Sequence, residues 1–423
     1  MIEKLAKPIK WTARLGTGLL LIVLVFSCAT VPGLRDETGG TYIRVPFVRV
    51  LLEDSQPNAT ISGDGQFAVE CLQDGVQSVY YSTRPVKVTV YSGRLDVEND
   101  RGQVLASRQD EINLIPRGSG NLLRLDKERY RGLIKTLPAG QNVKVINVLY
   151  VEDYLYGVVP PEIGPREESE LEAIKAQAVA ARTYTISHLQ QYPNEPYDLK
   201  NTIIDQVYNG VEAENRLVDR AVNETAGQVM TYEGKFIDAY YHSTCGGMTD
   251  AISAVWDRKE IPYLKAVSDS GACSWSKYYT WKEVFTEKQL RGRLEQYLSS
   301  DRGRDMVIGK VNDIKIMERT PGGRVAKLMV RTDNDVYRFQ KDRIRWVIGR
   351  TSNPDLILPS GRFDVDIERD PLGNLVSVTF NGRGYGHGVG MCQCGAIGLA
   401  RDGWSYDRIL KHYYTGVEIT KPY

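Results

Sequence analysis

The sequence predicts an α+β fold: a β-rich N-terminal part followed by a mixed part built around one long central helix. Three observations predict it. Apolar residues alternate with polar ones, or gather in β-branched runs, from residue 41 to about 148. The spacing then changes to three and four from Glu167 onward. Short alternating runs return over residues 307–380.

Composition supports a folded, exported body. Of 423 residues, 42% are hydrophobic and 25% charged, enough apolar material for a sizeable core and far from a disordered chain. Lys and Arg number 54 against 53 Asp and Glu, a net charge of +1. That balance excludes the whole-chain basic excess of a typical nucleic-acid binder, so no nucleic-acid partner is expected. Tyr (25) far exceeds Phe (8), and Gly reaches 39, which suits a β-rich protein with exposed aromatic surface of the carbohydrate-binding kind.

Taken in order, residues 1–27 read as a leader. Lys4, Lys7, Lys10 and Arg14 precede the apolar run LLLIVLVF at 19–26, too short to span a bilayer and the right length for a signal-peptide core. Ser27-Cys28 follows at once and resembles the bacterial lipobox, so Cys28 is the expected lipidation site and a membrane anchor. Residues 28–40 form a polar tether and 41–148 the β-rich part, with runs such as TYIRVPFVRVLL, VKVTVYS and NVKVINVLYV between turn residues. In the remainder, 149–423, Leu171, Ile174, Ala178, Ala181, Thr185 and Leu189 mark the central helix. Ser169 with Glu172 would open it as a capping box, and Tyr192-Pro193 would stop it. Residues 201–260 mix strand and helix, 281–300 read as helical, and two short helices close the chain from Ala396, the second opening at Ser405.

Four constellations can carry chemistry. In YLYGVVPPEIGP (154–165) prolines stiffen what reads as a loop around Glu162. Its apolar neighbours Val158, Val159 and Ile163 would raise the carboxyl pKa, as a general acid requires. On the helix, Lys175, Ala178 and Arg182 share one stripe, which either reaches a polar site or is a solvated edge. In YYHSTCGG (240–247) Cys245 with His242 reads either as a cysteine nucleophile or as half of a Cys245–Cys273 disulfide. In GRGYGHGVG (382–390) the glycines alternate. If the segment is extended they line one face, with Arg383, Tyr385 and His387 on the other. The spacing fails the dinucleotide-binding pattern. Six cysteines are present: Cys28, Cys71, Cys245, Cys273, Cys392 and Cys394. A lipidated Cys28 leaves an odd number, hence one or two disulfides and a spare thiol. Without paired C-x-x-C motifs, no metal and no other cofactor is expected.

EDYLYGVVPPEIG (152–164), LEAIKAQAVAARTYTI (171–186), DQVYNG (205–210), AYYHSTCGGMTD (239–250) and the stretch from GRGYGHGVGMCQCGA to HYYTGVEI (382–419) together resemble the stage II sporulation protein D family, SpoIID/LytB, in order and spacing. The resemblance implies a lytic transglycosylase. Such an enzyme cleaves the MurNAc–GlcNAc bonds of glycan strands stripped of stem peptides and leaves 1,6-anhydro ends, with Glu162 as general acid and base. It implies that Lys175, Gln177 and Arg182 line the site, with His242, Ser243, Tyr385 and His387 as further substrate-binding candidates. By the same resemblance 149–423 is the catalytic part, the location is the cell envelope, the partners are glycan strands and a cell-wall amidase, and the alternative is a non-catalytic glycan binder that enhances the amidase. Two departures stand out. The Cys and His that hold zinc in some members are missing from 199–205 (LKNTIID), and Cys392 and Cys394 replace the family's Ser and aromatic residue.

Overall fold

A computed structural model describes residues 45–353 and 355–423; the expected leader, the lipidation site Cys28 and the tether lie outside the described residues. Helix accounts for 24% and strand for 37%, a mixed α+β fold with its strands concentrated early. No described helix is long and apolar enough to cross a membrane.

The early strands form as their alternation predicts. In Val86–Tyr91, Val86 and Val88 are buried while Lys87 faces out. Phe47–Glu53 runs antiparallel to Asn142–Tyr150, with Phe47 opposite Tyr150 and Leu51 opposite Ile146. These two, with Leu133–Ala139, Glu111–Pro116, Phe67–Gln73 and Val76–Ser82, make most of a seven-stranded sheet, completed by the short parallel strand Leu199–Lys200. A six-stranded sheet holds Asn58–Gly63, Val86–Tyr91, Arg94–Asn99 and Val104–Gln109. Val69, Ile112, Leu114 and Val145 of the first sheet and Ile61, Val88, Leu95 and Val97 of the second belong to one apolar cluster.

That cluster continues past residue 148. Asn142–Tyr150 runs directly into helix α1 (Val151–Ile163), and Tyr154, Leu155, Val158 and Val159 join the same core. The segment expected to be a proline-stiffened loop is therefore the last turn of α1. The two prolines each remove a helical donor in this turn, which frees the carbonyls of Tyr156 and Gly157 four residues earlier. The carbonyl of Gly157, which the N–H of residue 161 would have bonded, accepts the Asn209 N–H instead at 3.2 Å. Helix α2 (Leu171–Ser187) is the central helix. Its Ala176, Ala178, Ala180 and Ala181 are fully buried, small enough for close approach of its neighbours. The capping box belongs to Glu167 and Glu170 on the 3-10 turn Glu168–Glu170, not to Ser169 and Glu172, and the helix ends at Ser187, before Tyr192-Pro193. Helices α3 (Arg216–Glu224) and α4 (Ile252–Val255) follow.

A second core lies between them and the C-terminal helices. Its sheets are Thr280–Thr286, Phe363–Arg369 and Leu375–Arg383, and Val311–Arg319, Val325–Thr332 and Val336–Gln340. Helices α5 (Glu287–Arg302) and α6 (Arg343–Ile348) pack with them around Phe285, Leu294, Phe363 and Phe380. Residues 281–300, expected to be helical throughout, begin as a strand. Trp281 and Phe285 alternate with exposed residues before Thr286 and Gln289 cap α5 as a reciprocal box. The two closing helices are α7 (Gln393–Arg401) and α8 (Tyr406–Tyr413), the second preceded by Ser405 as the sequence predicts.

Candidate active site

Glu162 is the penultimate residue of α1 and half-buried. Its Oε1 accepts the Val207 N–H at 2.8 Å, and its backbone carbonyl accepts Gln393 Nε2 at 3.0 Å. Burial pushes the carboxyl up to about 7 from 4.5, against hydrogen bonds from Val207 and Gln393 that favour the charged form. Among the described residues no cation and no second carboxylate contributes to that shift.

The segment DQVYNG is a strap across the end of α1. Asp205 folds it by accepting the Lys200 N–H at 2.8 Å, Gln191 Nε2 at 2.9 Å and Tyr192 Oη at 3.0 Å. Tyr208 donates to Asn147 at 2.9 Å, and a Cβ on Gly157 would stand 2.5 Å from the Tyr208 ring, so only glycine admits the strap there. Gln206 accepts from Thr185 Oγ1 at 2.8 Å and donates to Tyr241 Oη at 2.9 Å. Tyr241 and Tyr154 both feel the Glu162 charge, though burial is the larger cause holding their hydroxyls neutral.

Of the helix residues expected at the site, the structure brings Gln177 to Glu162 and engages the other two elsewhere. Gln177 is fully buried, and its Oε1 accepts Gln393 Nε2 at 3.3 Å, so the two amides stand together behind Glu162. Lys175 pairs with Glu172 at 2.9 Å and Glu224 at 2.7 Å. Arg182 is fully buried in a bidentate pair with Glu152, both bonds 2.8 Å, and also donates to the carbonyls of Val222 and Gln228. It braces α2 against the first turn of α1.

The glycine-rich segment is not extended. Gly384, Gly386, Gly388 and Gly390 all have left-handed φ, between +71° and +109°. The ribbon winds so tightly against residues 240–245 that a Cβ on Gly390 would lie 2.0 Å from the Tyr240 carbonyl. His387 lies in this ribbon. Its Nδ1 accepts the Val389 N–H at 3.1 Å, which leaves Nε2 to donate to the Tyr241 carbonyl at 2.9 Å. Burial drops its pKa to about 4 and fixes the neutral ring. His242, buried with its Nδ1 3.2 Å from the Val389 carbonyl, sits 5.3 Å from the His387 ring centre. Both histidines thus hold the backbone that carries Tyr241. Ser243 and Tyr385 are half-buried; the Tyr385 ring meets that of Tyr278 at 4.5 Å, tilted by 42°, beneath the Arg350 guanidinium.

Cys245 is sealed from solvent and forms no disulfide with another described cysteine. Its Sγ lies 3.6 Å from that of Cys273, where a bond requires about 2.05 Å. Gln393, Gln206, Tyr241 and the Val207 amide escaped the sequence reading, although each lies in a segment it singled out. Trp275 escaped it as well. Its exposed ring lies under Arg401 at 4.2 Å, and its Nε1 donates to the Cys394 carbonyl, beside the position where the family pattern has an aromatic residue.

Comparison with known proteins finds a family and several relatives. A family described as Stage II sporulation protein matches residues 139–232, which include α1, α2 and the strap, and a domain of unknown function matches 272–390, most of the second core. The chain is 32% identical to the Stage II sporulation protein D of Bacillus amyloliquefaciens over 286 residues, 64% of this chain and 74% of that one. It is 35% identical to an uncharacterized protein of Brachyspira hyodysenteriae over 69% of this chain and 72% of the relative. It is 30% identical to the Amidase enhancer of Bacillus subtilis over 78% of this chain and 49% of that protein. The family match covers α1, α2 and the strap, and the chain belongs to the SpoIID/LytB family.

Proposed function

We propose that the chain acts on the cell wall as a lytic transglycosylase, cleaving MurNAc–GlcNAc bonds of peptide-free glycan with Glu162 as its single acid and base. The observation that carries this reading is a half-buried carboxyl, with no second carboxylate contributing to its shift among the described residues, pushed up to about 7 at the end of a braced helix. A carboxyl so placed is partly protonated at neutral pH and can donate to the glycosidic oxygen as the C1–O bond breaks and oxocarbenium character develops. The resulting carboxylate, steadied by the Val207 N–H, then takes the proton of the sugar's own C6 hydroxyl. O6 bonds to C1 and closes the 1,6-anhydro ring. The proton passes from O6 to the departing oxygen by way of Glu162, and no water is consumed, so a second carboxylate has no task. Gln177 and Gln393 position the end of α1. His387 and His242 position Tyr241, while the half-buried Ser243 and Tyr385 and the exposed Trp275 ring offer contacts to sugar. Anchoring through a lipid at Cys28 would keep the reaction at a membrane face of the envelope.

A second reading follows from the relative named Amidase enhancer, which aligns over 78% of this chain. In that reading the chain binds denuded strands without cutting them and stimulates a cell-wall amidase. Incubating peptide-free strands with wild type and with Glu162→Gln, and measuring both bound protein and released soluble glycan, separates the two. Lytic function requires release by wild type and binding without release by the variant. Equal binding with no release by either leaves the enhancer reading.

A further inference from the structure

Three cysteines meet below α7, away from any chemistry assigned above. Cys245, Cys273 and Cys392 are fully buried, Asp269 is 1% exposed, and one donor atom from each lies within 4.8 Å of every other. We propose that Cys245, Cys273, Cys392 and Asp269 form a four-coordinate zinc site that ties together the stretch around Cys245, the turn 269–273 and the start of α7.

The geometry favours a metal over the two other fates of such thiols. Cys245 and Cys273 sulfurs 3.6 Å apart are too far for a disulfide. They match the edge of a tetrahedron around zinc, where a metal–sulfur bond of about 2.3 Å places sulfurs about 3.8 Å apart. Asp269 Oδ2 lies 3.0 Å from Cys245 Sγ, in reach of the same centre. A disulfide would join only two of the three and leave a buried thiol beside a carboxylate. Nucleophilic use is closed off because none of the three reaches solvent.

Backbone donors point at the cluster as they do at bound anions. Gly247 N–H donates to Cys245 Sγ at 3.3 Å; the N–H groups of Cys245 and Gly395 donate to Cys392 Sγ at 3.1 and 3.2 Å; Cys273 N–H donates to Asp269 Oδ2 at 3.2 Å. Such bonds hold thiolates, the form a metal binds. An independent sign is the Tyr413 hydroxyl. It is fully buried and has no hydrogen-bond partner among the described residues. It stands 2.1 Å from where a Cβ on Gly395 would be, the residue whose N–H serves Cys392. A zinc-bound thiolate or carboxylate would give that hydroxyl an acceptor, as outer-shell donors commonly have. Cys273 and Cys392 lie 28 and 147 residues from Cys245, which is why no local spacing announces the site. Its consequence for the reaction is indirect: Gln393, next to Cys392, is the residue that holds the Glu162 carbonyl.

The intact chain, purified untagged and without chelators, is expected to carry about one zinc ion by inductively coupled plasma mass spectrometry. Asp269→Asn and Cys273→Ser are expected to lower that content at least about tenfold. Cys394→Ser, outside the donor set, is expected to keep it. Exchange of cobalt(II) into wild type is expected to give the charge-transfer absorption of a tetrahedral thiolate site, a readout that needs neither activity nor a variant. Wild type without stoichiometric zinc, or an intact mass showing Cys245 and Cys273 joined as a disulfide, overturns the proposal.

Discussion

Glu162 takes up a proton on folding. Its carboxyl titrates near 4.5 in the unfolded chain and at about 7 in the fold, because burial penalises the charge more than Val207 and Gln393 relieve it. Below the lower value both states are protonated and nothing is lost. As pH rises through the upper value the buried charge weighs against the fold, by about 3 kcal/mol at most. Glu162→Gln keeps an acceptor for the Val207 N–H and removes the charge. The variant is therefore expected to be more stable than wild type at about pH 8 by about 1–3 kcal/mol, with the gain vanishing at about pH 4. Urea unfolding at the two pH values checks it, and an equal effect at both would show that the carboxyl is not sunk as described. The apolar neighbours Val158, Val159 and Ile163 made this shift legible in the sequence. The residues that oppose it were not, because Val207 and Gln393 arrive from 45 and 231 positions away.

At the scale of elements, the site depends on how α1 is held at both ends. Its first turn carries Glu152, paired with the buried Arg182 of α2, and Glu152 also accepts the Gly227 N–H at 3.2 Å and the Tyr423 hydroxyl at 3.0 Å. Replacing Arg182 alone leaves a carboxylate without its counter-charge in a largely buried setting. Arg182→Leu is expected to destabilise the fold by about 3 kcal/mol, and Arg182→Leu combined with Glu152→Leu to recover a large part of that loss. Urea midpoints of the two variants and wild type measure it. If Arg182 contacted only substrate, the single variant would unfold like wild type. The alanine-rich 3-and-4 spacing made α2 readable. The end of α1 was not, since Pro160-Pro161 signals a loop wherever no distant donor such as Asn209 takes up the freed carbonyl. The strand Thr280–Thr286 was likewise hidden, its short alternation running without a break into the amphipathic pattern of α5.

At the scale of the whole molecule, the described chain has two large apolar cores. One runs through the early sheets, α1, α2 and the C-terminal helices; the other is enclosed by residues 280–383. Phe380 is fully buried in the second, edge-on to Phe285 at 5.7 Å and Phe363 at 5.4 Å. Phe380→Ala is expected to cost about 3–5 kcal/mol and to move one of two unfolding transitions, leaving the other in place. A scan that follows tryptophan fluorescence and circular dichroism together resolves this. One transition shifting as a unit would mean that the cores unfold as one. The class of fold was readable because alternation and helical spacing are local properties. The second core, the winding of the glycine ribbon and the gathering of Cys245, Cys273 and Cys392 were not, since each is set by contacts between distant segments. The central claim is that Glu162 works alone, without water as the acceptor. The most direct measurement is mass spectrometry of the ends that wild type produces from peptide-free glycan. Products with 1,6-anhydro ends, lighter by one water than hydrolytic ones, are expected. Reducing ends carrying that water would require an activated water and a second base, and would contradict the account.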